Sequence, residues 1–64
     1  MIKVFEYEGM TVTFEFGDHN VLVTEKYQAG KYGYDGTPTS KIMTKQQAEK
    51  EMDRLIRLGY IGMN

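Results

Sequence analysis

The sequence predicts an α+β domain: a three-stranded antiparallel β-meander followed by one C-terminal α-helix that covers one sheet face. Three observations carry this prediction. TVTFEF (residues 11–16) alternates strictly, with Val12, Phe14 and Phe16 on one face and Thr11, Thr13 and Glu15 on the other. VLVTEKY (residues 21–27) follows after Gly17, Asp18, His19 and Asn20, four residues that suit a turn. Residues 44–60, TKQQAEKEMDRLIRLGY, show a helical start, stripe and stop.

The first strand is IKVFEYEG (residues 2–9), with Ile2 and Val4 facing one way and Phe5 and Tyr7 the other. Gly9 marks the turn. A two-residue loop, Glu8-Gly9 or Gly9-Met10, places Phe5 and Tyr7 with Val12, Phe14 and Phe16. A three-residue loop places Ile2 and Val4 there instead, because a shift of one residue exchanges the faces of a strand. Both registers leave large apolar or aromatic residues on the outer face. In the second hairpin, pairing Phe16 with Val21 also opposes Phe14 to Val23 and Val12 to Glu25, so that a carboxylate meets the edge of the core.

Residues 28–43, QAGKYGYDGTPTSKIM, show neither period. They read as a long loop loosened by Gly30, Gly33 and Gly36, with Tyr32 and Tyr34 as anchors. Short extra strands at residues 31–34 or 41–43 fit but have too few residues to assign. Loops longer than about 12 to 15 residues are uncommon in small domains and tend to carry function or disorder.

In the helix, Thr44 is the N-cap and Gln47 its capping-box partner, with Met43 and Ala48 at the staple positions. Ala48, Met52, Leu55 and Ile56 make the apolar stripe. Gly59 suits the left-handed exit, and Tyr60 and Ile61 can return over the last turn. The expected core is Val12, Phe14, Phe16, Val21, Val23, Ala48, Met52, Leu55 and Ile56, closed by Tyr60 or Ile61.

The chain of 64 residues reads as a single domain, residues 1–64. At this size folding buries only about 60% of the surface of the unfolded chain, so the core is small and a partner would add needed stability. With no cysteine, disulfides and thiolate metal sites are excluded, and His19 is the only histidine, so no metal or cofactor site is expected. No apolar run approaches the roughly 20 residues of a membrane span, and acids interrupt the N-terminal apolar stretch. A cytoplasmic protein is the expectation.

Charge divides unevenly along the chain. Residues 1–28 carry Lys3 and Lys26 against Glu6, Glu8, Glu15, Asp18 and Glu25, a balance of −3; the remaining residues carry six basic against four acidic groups, +2, giving the formal net charge of −1. Four strand glutamates against two strand lysines speak against a sheet that reads nucleic acid.

No catalytic constellation is present in the sequence, and we expect no enzyme. GKYGYDG lacks the spacing and the lysine-hydroxyl pair of a phosphate loop. Glu49 and Asp53 share a helix face, but Arg57 pairs favourably with Asp53, which describes a solvated surface. The function expected is a small protein-interaction module, adaptor or inhibitor, acting as a homodimer and on another protein. Phe5, Tyr7, Tyr32 and Tyr34 would be its aromatic anchors, and Glu6 and Glu15 its charges. The alternative is nucleic-acid binding through Lys45, Lys50, Arg54 and Arg57 of the helix.

Overall fold

A computed structural model describes residues 1–28, 30 and 36–63. The order of elements is β1 (Ile2–Tyr7), β2 (Met10–Phe16), β3 (Val21–Tyr27), β4 (Thr39–Met43), α1 (Lys45–Leu58) and β5 (Ile61–Gly62). They form one antiparallel sheet in the order β4-β3-β2-β1-β5, with the helix on one face. The class is the α+β arrangement expected, but the sheet has five strands rather than three.

Both additional strands complete an edge of the meander. β4 lies in the stretch read as loop and pairs with β3, Leu22 opposite Ile42 and Thr24 opposite Ser40. β5 follows the helix and pairs with β1, Glu6 opposite Ile61. Neither TSKIM nor a two-residue strand carries a period of its own; each is specified by the unpaired backbone of the strand beside it.

The first hairpin turns on Glu8 and Gly9, with Tyr7 opposite Met10. Both turn residues have positive φ, 45° and 82°, the geometry that matches the twist of a two-residue hairpin. This register puts Phe5 opposite Val12 and into the core. The second hairpin has the expected pairing, Phe16 with Val21, Phe14 with Val23 and Val12 with Glu25.

Among the described residues eight side chains are buried: Phe5, Val12, Phe14, Val21 and Val23 from the sheet, and Ala48, Met52 and Leu55 from the helix. Phe14 is fully buried and meets the Phe5 ring edge to face, with centroids 5.7 Å apart. Phe16, Met43 and Tyr60 pack around this cluster as half-buried members. Ile56, expected in the core, is 57% exposed. At 100° per residue it stands on the far flank of the stripe centred between Ala48, Met52 and Leu55, beyond the edge of the contact. Ile61 leaves the core for β5 and is also exposed.

Both helix ends are closed locally. The Thr44 hydroxyl accepts the Gln47 N–H at 3.1 Å, while the Gln47 side-chain oxygen accepts the Thr44 N–H at 3.0 Å. At the other end Gly59 has φ 109°; its N–H donates to the Ile56 carbonyl and that of Tyr60 to the Leu55 carbonyl. That pair of bonds satisfies carbonyls the helix would otherwise leave open and aims the chain back towards β1.

Candidate functional site

The alternation that buries one face of the sheet fixes the composition of the other. Residues opposed across the ladders share a face, so the face away from the helix carries three rows. Ile2, Glu15, Leu22 and Ile42 form the first. Val4, Thr13, Thr24 and Ser40 form the second, and Met63 joins it, since its N–H donates to the Val4 carbonyl. Ile61, Glu6, Thr11 and Lys26 form the third. We call this surface the open face, because no described element lies over it.

It exposes four large apolar side chains from its strands. Ile2 is 50% exposed, Leu22 39%, Ile42 67% and Ile61 68%. A sheet face meant only for water would put charged or strongly polar side chains at most of these positions. Three charged residues stand among them, Glu6, Glu15 and Lys26. The hydroxyls of Thr24 and Ser40 lie 3.1 Å apart across β3 and β4, a cross-strand bond near the centre of the face.

A second feature lies on the helix side, where α1 ends before the sheet does. A cleft of about 170 Å³ is bounded there chiefly by Met10, Val12, Glu25, Tyr27, Arg54 and Tyr60. The Tyr60 ring stacks at 5.4 Å on Tyr7, and its hydroxyl reaches the Met10 sulfur at 3.8 Å. Burial, reinforced by Tyr27 and the Glu25 carboxylate, raises the pKa of the Tyr60 phenol, so its hydroxyl stays protonated at neutral pH. Glu25 also pairs with Lys41 across β3 and β4 at 4.0 Å. Charges of both signs therefore line the rim.

The expected anchors are distributed differently from the reading of the sequence. Glu6 and Glu15 stand on the open face. Phe5 is a core residue, 6% exposed, and is withdrawn as a surface anchor because its two-residue hairpin turns it towards the helix. Tyr7 also points to the helix side, at the edge, against Tyr60. Tyr32 and Tyr34 lie outside the described residues. Ile2, Leu22, Ile42 and Ile61 were not among the expected anchors. Leu22 could have been found from the alternation of VLVTEKY, which sets it opposite to Val21 and Val23.

The basic residues of the helix, Lys45, Lys50, Arg54 and Arg57, are all exposed. Two of them are engaged: Arg54 forms an ion pair with Glu51, its Nε donating at 3.0 Å, and the Arg57 side chain donates to the Asp53 carbonyl at 3.4 Å. The hydrogen bond from Arg54 is the main cause of a lowered Glu51 pKa. Among the described residues no group of three or more His, Asp or Glu side chains is arranged to hold a metal ion. No helix there is long and apolar enough to cross a membrane.

No protein-family model, curated protein or solved structure matches the chain.

Proposed function

We propose that the chain is a small protein-interaction module whose working surface is the open face of its sheet. The observation that supports this reading is the exposure of Ile2, Leu22, Ile42 and Ile61 on one continuous surface opposite the helix. Burying such side chains against another protein releases roughly 25 cal/mol for each Å² of apolar area, and strands held by their ladders offer them without rearrangement. Glu6, Glu15 and Lys26 at the margins would orient the partner and fix register more than they add affinity. Action as an adaptor or inhibitor fits a chain that binds in this way. The nucleic-acid reading is less favoured, because acids interleave the basic residues of the helix and Arg54 is already paired with Glu51.

Photocrosslinking inside cells tests the reading. A photoreactive side chain is placed at Leu22 on the open face or, as the control, at Lys50 on the exposed helix face. The expected result is discrete protein adducts from position 22 and few from position 50. Equal yields from both sites, or adducts to nucleic acid from position 50 alone, would remove the open face from the function.

A further inference from the structure

We infer that the partner of the open face is a second copy of this chain, stacked sheet to sheet about a two-fold axis that runs parallel to the strands between β2 and β3. The inference rests on the reading above and adds the occupant and its geometry.

The pattern of the three rows selects this axis. Rotation about it lays β2 of one copy over β3 of the other and β1 over β4, with each row kept at its own end. In the first row Ile2 then lies over Ile42 of the second copy and Leu22 over Glu15, with the two Leu22 side chains adjacent across the axis. In the second row Thr13 falls on Thr24, so the centre of the contact is made of short hydroxyl side chains that let two sheets approach to the usual ~10 Å. In the third row Lys26 falls on Thr11 of the other copy, one strand from Glu6. With strands about 4.8 Å apart, a lysine side chain spans that offset, and symmetry makes the ion pair twice.

Glu15 is the one charged group that this stacking sets against apolar side chains: it lies between Ile2 and Leu22 of its own sheet and over Leu22 of the other copy. It sits in the outermost row of the face, next to the Gly17 to Asn20 turn, so its carboxylate can extend past the rim into water. Apolar contact at one end and opposite charge at the other also oppose a relative sliding of the sheets, which would part the Lys26–Glu6 pairs. Axes that exchange the two ends set Leu22 over Lys26 and Ile2 over Glu6 instead. They set two charged groups of each copy, Lys26 and Glu6, against apolar side chains where the axis between β2 and β3 sets one, Glu15, and are disfavoured.

Area sets the expected strength. Four strands at ~4.8 Å spacing and about five residues of ~3.3 Å rise make a planar footprint of roughly 300 to 350 Å² on each copy. Two such footprints fall short of the roughly 1,000 Å² that a stable interface buries, so association is expected to be weak and transient, in the micromolar range rather than nanomolar.

Sedimentation equilibrium on the full chain, from ~5 to ~500 µM, tests the proposal across the range where such an affinity is visible. Parent protein is expected to pass from monomer to dimer. Glu6→Lys and Lys26→Glu should each weaken the dimer about 5- to 10-fold, and the double charge exchange should restore it to within about 2-fold of the parent. A parent that stays monomeric throughout overturns self-association; adducts from position 22 to a different protein would then leave the open-face reading standing alone. A dimer that neither single exchange weakens, or that the double exchange fails to restore, overturns the stacking geometry.

Discussion

The two faces of the sheet are built from the same strands and do opposite things. On the helix side, Phe5, Val12, Phe14, Val21 and Val23 meet Ala48, Met52 and Leu55 and are withdrawn from water. On the open side, Ile2, Leu22, Ile42 and Ile61 stand exposed, separated by threonines and a few charges. The difference shows that apolar composition alone does not locate a core. What locates it is a second amphipathic element able to cover the face, and the described residues hold one such helix for two faces.

Substitutions can break that comparison, and the largest effect is expected in the core. Phe14→Ala should destabilise the monomer by about 3 to 5 kcal/mol, because a fully buried ring leaves a cavity that a 64-residue domain cannot close. Leu22→Ala, on the opposite side of the neighbouring strand, should change monomer stability by less than ~1 kcal/mol. Urea melts at low protein concentration measure both. Equal losses would mean that the open face is also part of a core.

A smaller effect is expected where the helix hands the chain back to the sheet. At Gly59 a Cβ would stand 3.2 Å from a ring carbon of Tyr7, and φ is 109°. Gly59→Ala should therefore cost on the order of 1 to 3 kcal/mol through backbone strain and displacement of the Tyr7–Tyr60 stack. Thermal unfolding followed by tyrosine near-ultraviolet dichroism reads both. A variant with parental stability and an intact tyrosine signal would contradict the tight approach.

The smallest effect is electrostatic and belongs to the outer surface of the helix. Hydrogen bonding to Arg54 lowers the Glu51 pKa, so the stability linked to this group is present above the unfolded-state pKa. It is lost as the pH falls through the lower folded-state value. Exposure of the pair limits the effect to less than ~1 kcal/mol. Arg54→Ala should flatten the fall in stability on the acid side by that amount, as measured by urea midpoints taken between neutral and acid pH. An unchanged acid limb would show that the ion pair contributes nothing to folding.

The candidate surface was legible only in part. Glu6 and Glu15 could be assigned to a sheet surface because both lie in alternating strands. Phe5 could not be placed, since its face depends on whether the hairpin loop holds two residues or three. Ile42 was legible only as part of a possible short strand at residues 41–43, too short to assign until β3 supplies a ladder.

By itself the sequence determined the features that are closed over short distances. The alternation of residues 11–16, the pairing across the 17–20 turn, the Thr44 and Gln47 cap, the stripe of Ala48, Met52 and Leu55, and the Gly59 exit all depend on neighbours within a few positions. Tertiary structure alone decided the two edge strands, the burial of Phe5, the exposure of Ile56 and the identity of the open face. Each of these depends on which distant backbone or side chain arrives to satisfy a hydrogen bond or exclude water, and such contacts leave no period in the chain.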